Sequence, residues 1–454
     1  MSPQWQPHAQ PDIYYFPSIR ATLYDALVKN TPLSHLIPFE SRIADIMNNP
    51  EALIQQAEKL VAKGKSGWSF FGGSEERYEQ AATCYRQAAE AYELRSNFLD
   101  AAATYMKAAE IQEKNLSDGF EAPDSYVHAS DAYRRAVMEE AKPINENEKA
   151  EAKAKAINCR KKAIKLTESS SSGSKLRRLS RMYDAIGQIN EKDIAGPLVQ
   201  ARRNLLSSKT LTAADEERMK NLALELQPTP NEADELQWLQ SKTAFSDEEK
   251  AHLQWLESQI LPALDEARIA YKEAANFLRL DAPLSASKLF DQYADLSVFI
   301  ATLLPHSTEE NANPNKKDKN SYYEDALNAY ATILKALQGD PKKNRFSIPT
   351  YCYKWCVCRL AQCDHVATTR DVPMYREIEM DTYRQSEMHP GTLDSYIQSA
   401  LPKYTLLFDL NEAIKQKDRE MIDEILRANV VDDWQKKVFT DIQNKYEPKD
   451  DEFA

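Results

Sequence analysis

Aromatic and small residues recur at a fixed spacing along much of this chain. Tyr78, Ala81, Ala82, Tyr85, Ala88 and Ala89 form one set, and Phe98, Ala101, Ala102, Tyr105, Ala108 and Ala109 repeat it 20 residues later. An aromatic, small residues three and four positions on, an aromatic at seven and small residues at ten and eleven share one helical face. Small side chains let two helix backbones approach closely, and the aromatic fills the space beside them. One such helix cannot bury that face alone, whereas several stacked side by side can. The unit returns at Tyr126, Ala129, Tyr133 and Ala136, at Leu264, Ala267, Tyr271 and Ala274, and at Tyr323, Ala326, Tyr330 and Ile333. Ala156 and Ala163 keep half of it, with Arg160 in the aromatic slot. A plain bundle rich in Ala and Tyr is the alternative, but matches spread over both halves of the chain favour a repeat.

The arrangement resembles tetratricopeptide repeats. It predicts an all-α fold: a right-handed solenoid of antiparallel helix pairs ending in a C-terminal helical bundle. Residues 1–50 read as an N-terminal extension, 51–195 as helical-hairpin repeats, 261–395 as continued repeats, and 396–454 as C-terminal helices with an acidic tail. Asn49–Pro50 reads as a cap with Pro at the first helical position, and Gly64 as that helix's end. From 196 to 260 the spacing vanishes and a different local repeat appears. SKTLTAADEERMKNLALEL and SKTAFSDEEKAHLQWLESQI match with a shift of 33 residues. Each opens on an N-cap candidate, Thr212 or Ser246, with acids in the first turn. This segment reads as an inserted helical hairpin.

Composition supports helix throughout. Gly is scarce, at 10 of 454 residues, and Ala, Glu, Lys, Leu and Gln fill long runs. No run of about 18 apolar residues occurs, so no membrane-spanning helix is expected, and the N-terminus lacks the form of a secretory signal. A net charge of -12 disfavours nucleic acid as a partner. The thiols Cys352, Cys356 and Cys363 are spaced as one face of a helix, and His365 follows. A buried helix is the better reading than a metal site, which would want paired thiols on a turn. The thiols are expected to be reduced. No phosphate-cradling, zinc-protease, nucleophile-elbow or dinucleotide motif occurs, and no acid–base constellation emerges. The expectation is a protein that is not an enzyme and holds no cofactor or metal.

Three stretches stand out as surfaces. The loop GWSFFGG crowds Trp68, Phe70 and Phe71 between glycines; the rings either tuck under the first helix pair or dip into a bilayer surface. The run from Lys153 to Arg181 is basic within an acidic chain, and it reads as a solvated face or as a docking face for an acidic partner. The tail EPKDDEFA is either a frayed end or an acidic hook carrying one aromatic, Phe453.

Taken in order, these features resemble the soluble NSF attachment proteins, or SNAPs: all-helical adaptors that clasp SNARE bundles and recruit the hexameric ATPase NSF. The matching stretches are the Phe-rich loop followed by EERYEQAATCYRQAAEAYELRSNFLDAAATYMKAAEI, then KAINCRKKAIKL, EARIAYKEAANF, SASKLF, YYEDALNAYATIL with YCYKWCVCRLAQC, and a last helix opening on VVDDWQ before the acidic tail. The resemblance implies membrane contact by Trp68, Phe70 and Phe71. It implies a basic concave face for the SNARE four-helix bundle, with Lys288 in SASKLF, Lys175, Arg177, Arg178 and Arg181 as basic contacts and Phe346 as an aromatic one. It also implies that Asp450, Asp451, Glu452 and Phe453 engage NSF, an AAA ATPase. A cytoplasmic, peripheral membrane location in vesicle trafficking follows. The chain departs from the family in its 1–50 extension, its 196–260 insert and a tail ending on Phe-Ala where leucine is favoured. Two alternatives therefore stand beside the adaptor: a mimic, of microbial origin for example, that blocks SNARE disassembly or redirects NSF, and an unrelated helical-repeat scaffold.

Overall fold

The computed structural model describes residues 49–446 except 66–72, 117–120, 140–142, 170–174, 210, 212, 225–229, 305–316, 387–389 and 430. Among the described residues there is no strand, and the fold is an all-α helical repeat. The chain divides into two units, one up to Ala132 and one from Tyr133 onward.

In the first unit, α1 (Pro50–Lys65) packs on α2 (Gly73–Leu94), and α2 packs on α3 (Phe98–Asn115). The Asn49 side chain accepts from the Ala52 N–H at 3.0 Å, so Asn49–Pro50 does open α1. The repeat register holds: Ala81, Ala88, Ala89, Ala101, Ala102, Ala108 and Ala109 are all buried, with Tyr78, Tyr85 and Tyr105 between them. Gly64 is the penultimate residue of the helix, which ends at Lys65, and a Cβ at Gly64 would lie 2.9 Å from Cζ of Tyr78. It is also a contact point for the α2 tyrosine. Between α2 and α3 the chain turns in three residues, with Ser96 at φ 54 and the Tyr92 carbonyl accepting from the Asn97 N–H at 2.9 Å. The division between the units falls inside α4 (Ala122–Met138), whose Tyr126, Ala129, Tyr133 and Ala136 are buried as the spacing predicts.

The second unit opens with α5 (Glu146–Ser169) and α6 (Lys175–Gln188). Arg160 is buried in the aromatic slot of α5. A π-helical segment, Ile189–Ala195, links α6 to α7 (Gly196–Ser207). Two short helices, α8 (Ala213–Leu224) and α9 (Pro230–Thr243), pack on each other around Leu211, Leu222 and Leu239. Then α10 (Asp247–Leu278) runs unbroken through Pro262. Its start is the N-cap foreseen at Ser246, and the structure makes it reciprocal: the hydroxyl accepts from the Glu249 N–H at 3.2 Å, and Glu249 accepts from the Ser246 N–H at 2.9 Å; Thr212, the other cap candidate, lies outside the described residues. Position 260 therefore lies within a helix that serves both the hairpin and the repeat.

From α10 onward successive helices pack as neighbours: α11 (Pro283–Leu303), α12 (Lys319–Leu337), α13 (Ser347–Ala361), α14 (His365–Gln385) and α15 (Pro390–Gln416). Two short helices close the unit, α16 (Arg419–Ala428) and α17 (Asp433–Lys445), and α17 packs back on α11 and α13. The centre of this core is α13. Cys352, Cys356 and Cys358 are all buried along it, and Trp355 stacks on Tyr375 of α14 at 3.8 Å between ring centroids; Cys363, expected on the same helical face, instead lies past the end of α13 at φ 56 and is half-buried. Burial pushes the three α13 thiols well above their ordinary pKa, which keeps them protonated and unreactive.

Candidate functional site: a basic edge of the second unit

The helix order sets up the site. α6 runs antiparallel to α10, because Tyr183 stacks on Phe277 at 5.7 Å and Gly187 lies against the Tyr271 ring. α10 and α11 are antiparallel through the turn at 279–282, and Arg268 donates to the Tyr293 hydroxyl at 3.2 Å. Tyr330 of α12 donates to Asp295 of α11 at 2.6 Å, and its ring lies 6.1 Å from Tyr351 of α13. Alternating directions bring the start of α6, the end of α10, the start of α11, the end of α12 and the start of α13 to one edge.

That edge gathers cations contributed by separate helices. α6 supplies Lys175, Arg177 and Arg178, with Arg181 exposed one turn further on. Lys175 donates to the carbonyl of Glu168 near the end of α5, a favourable place for a cation at a helix C-terminus. The turn after α10 adds Arg279. Lys288 is exposed on the second turn of α11, and the segment between α12 and α13 adds Lys342, Lys343 and Arg345. Acids interrupt the run at Glu168, Asp281 and Asp340, the last held by Lys343 at 2.9 Å.

Large apolar side chains stand among these charges. Leu280 is 85% exposed, Leu284 57% and Phe346 56%. Leu284 and Lys288 lie four apart, on one face of α11. The Phe346 ring sits 4.9 Å from the Arg345 guanidinium and 6.1 Å from the Tyr396 ring, which stacks on Tyr383 at 5.4 Å. An exposed Leu alone means little, but apolar groups rimmed by charge mark a protein-binding surface. Of the residues foreseen from sequence, Lys175, Arg177, Arg178, Lys288 and Phe346 come to this one edge. Arg279, Leu280, Leu284 and Arg345 were not foreseen. The only signal for the leucines was their place on either side of the Asp281–Ala282–Pro283 turn, where an apolar residue has nothing to bury against. Trp68, Phe70, Phe71, Asp450, Asp451, Glu452 and Phe453 lie outside the described residues.

A cavity of about 290 Å³ lies between the π-helical segment, α11 and α17, lined by Glu191, Asp295, Phe299, Trp434 and Lys437 among others. Its carboxylates already have partners. Glu191 accepts from Tyr271 at 2.6 Å, and Asp295 accepts from Tyr330 at 2.6 Å and from Lys354 at 2.8 Å. These bonds fix helices to one another. No helix among the described residues is long and apolar enough to cross a membrane.

Comparison with known proteins adds to this geometry. The family model described as "Soluble NSF attachment protein, SNAP" matches residues 48–204. A Neurospora crassa protein named "Probable vesicular-fusion protein sec17 homolog" is 23% identical over 411 residues, which is 89% of this chain and 99% of that protein. A Schizosaccharomyces pombe protein of the same name is 37% identical over 93 residues, 20% of this chain and 31% of that one.

Proposed function

We propose, from the premise that this chain is a divergent and enlarged member of the soluble NSF attachment protein family, that it is an adaptor of vesicle fusion. On this reading the edge formed by Lys175, Arg177, Arg178, Lys288 and Phe346, with Arg181 beside it, binds an acidic SNARE four-helix bundle side-on. The loop carrying Trp68, Phe70 and Phe71 rests on the membrane. The C-terminal tail, through Asp450, Asp451, Glu452 and Phe453, recruits an NSF-type ATPase that takes the bundle apart.

The observation that carries the reading is the convergence of cations from α6, α11 and the α12–α13 segment on one edge of an otherwise acidic chain. Overall charge is no obstacle. At physiological salt the Debye length is about 8 Å, so a partner feels the cluster it touches and not the sum of -12. Aliphatic and aromatic groups between the cations would exclude water from the contact and strengthen it beyond charge alone.

The test is reconstitution. Assembled SNARE complex, NSF and ATP are combined with the purified chain, with and without an authentic SNAP. Disassembly without added SNAP is expected. Suppression of the authentic reaction would point to a blocking mimic, and indifference would point to an unrelated scaffold. Reversing charge at Arg178 and Lys288 is expected to weaken SNARE binding at least tenfold at physiological salt; unchanged binding would remove the edge from the interface.

A further inference from the structure

Among the described residues twelve large apolar side chains are exposed, and four of them stand on the basic edge: Leu176, Leu280, Leu284 and Phe346. Three of the four adjoin a cation in sequence, as Lys175–Leu176–Arg177, Arg279–Leu280 and Arg345–Phe346. Helix ends from three separate parts of the chain thus bring the same couple to one edge, a cation beside an apolar group. Attraction to an acidic partner by charge alone needs no leucine there. Leu280 is the extreme case. At 85% it is the most exposed of the twelve, so it adds almost no burial to its own fold.

The mount beneath Leu280 and Leu284 is rigid. Arg279 is the C-cap of α10, and the Ala282 N–H donates to the Leu278 carbonyl at 2.8 Å. Pro283 is the first residue of α11, where its fixed φ suits a helix start. The Ser287 hydroxyl donates to the Pro283 carbonyl at 2.9 Å. Ala286, Leu289 and Phe290 bury the inner face of α11 in the core it shares with α10. That leaves Leu284 and Lys288, four apart, on the outer face. The turn carries Arg279 and Asp281, both exposed. Its form is set before any partner arrives, so little ordering entropy is lost when it is covered.

We propose that Leu280 and Leu284 are the specificity-determining contacts of this edge: a preformed wedge that enters the furrow between two neighbouring helices of the bundle, while Arg279 and Lys288 pair with carboxylates on its rims. The inference rests on the reading of the edge as a bundle interface and adds what the edge selects. Packed helices lie about 8–10 Å apart, axis to axis, and side chains of one element fit the grooves of another. A polyanion without a packed surface offers the same charge and no furrow. Attraction to carboxylates is common to every acidic partner and fades with salt. Burial of a leucine does not fade in that way. The cations bring acidic partners to the edge, and the leucines choose among them.

The test uses the full chain with two probes, assembled SNARE complex and poly-L-glutamate, the second carrying charge alone. Affinity is measured at low and at physiological salt. The double change Leu280→Ser with Leu284→Ser is expected to weaken the SNARE complex about tenfold at both salts and to leave poly-L-glutamate unchanged. Leu→Met at both sites should keep most of the affinity. Arg279→Glu with Lys288→Glu should weaken both probes and flatten the salt dependence. Both leucines are exposed, so the melting midpoint of the Leu→Ser pair should equal that of the parent, which controls for folding. No loss on the SNARE complex, or an equal loss on the two probes, would overturn the proposal. Flotation of the parent with phosphatidylserine vesicles that the Leu→Ser pair abolishes would overturn it in favour of a membrane contact. A parent chain that fails to bind the SNARE complex at all overturns the reading of the edge and the wedge with it. A Leu→Ser pair that binds as the parent does overturns the wedge alone.

Discussion

Between α1, α2 and α3 the buried face is alanine and tyrosine. Ala57, Ala81, Ala108, Cys84 and Tyr85 form its core. Among α10, α11, α12, α13 and α17 the buried face is crossed by charge. Lys319 pairs with Asp441, Arg268 bridges Asp265 and Asp325, and Lys354 bridges Asp291 and Asp295 while lying near the rings of Tyr330, Tyr351 and Trp434. The first region depends on close backbone approach, so its tolerance is set by volume. The second depends on partners far apart in sequence, so its tolerance is set by whether each buried charge keeps its counter-charge. A hairpin of local contacts can be written in one spacing rule; a helix that must return to a core more than a hundred residues away needs a specific address. Lys319 and Asp441 supply one.

The largest expected effect follows from that address. Lys319 and Asp441 are buried, and Tyr323 also donates to Asp441, at 2.8 Å. Lys319→Met removes the cation and leaves the carboxylate in the core, at an expected cost of about 3–5 kcal/mol. Burial already presses on this pair: it holds the Lys319 pKa below its ordinary value despite the attraction of Asp441. Adding Asp441→Leu to Lys319→Met should recover most of the loss, because apolar replacement of a whole buried pair is close to neutral. Denaturant unfolding of the two variants measures both. A single variant as stable as the double would mean that Lys319 and Asp441 do not depend on each other.

Next comes the volume test in the first unit. Ala108 is fully buried between α2 and α3, and Ala108→Leu should destabilise by about 1–3 kcal/mol through overpacking. Ala103 is exposed on the same helix, and Ala103→Leu should stay within about 0.5 kcal/mol of the parent. Equal effects at the two sites would mean that close approach is not what the small residues provide.

The contrast also explains what could be read in advance. The aromatic and small positions of α2, α3, α4, α10 and α12 were legible because their packing is local and periodic. Arg160 in an aromatic slot was legible for the same reason. The helix at 365–385 does not carry the aromatic and small spacing and holds a Pro at 373; the Asp364 cap and the buried stripe Val372, Tyr375, Glu379 and Tyr383 that define it depend on neighbours. The cations of the edge were legible as types, and the resemblance assigned several of them. Their convergence was not, since it comes from the alternation of five helices. Leu280 and Leu284 were missed because exposure is not written in a residue's identity.

The smallest expected effect is a matter of slope. Glu379 is buried on α14 and accepts from Tyr383 at 2.9 Å and from Tyr404 of α15 at 2.6 Å. Burial raises its pKa above the ordinary carboxylate value; the two hydroxyls and Lys403 oppose that rise without cancelling it. An unfolded glutamate titrates near about 4.3. Between that value and the raised one the folded chain holds a proton that the unfolded chain has lost. Stability from this group therefore falls as pH rises through the window, and stays lower above it. Glu379→Gln keeps an acceptor and removes the titration. The melting midpoint of the variant relative to the parent should thus climb from about pH 4 upward and then level off. The comparison between the two regions predicts this slope only for a charge buried without a full counter-charge, which is where Glu379 differs from Lys319. A difference that stays flat with pH would place Glu379 with the fully paired groups, and the polar core of the second unit would then contain no strained carboxylate at this point.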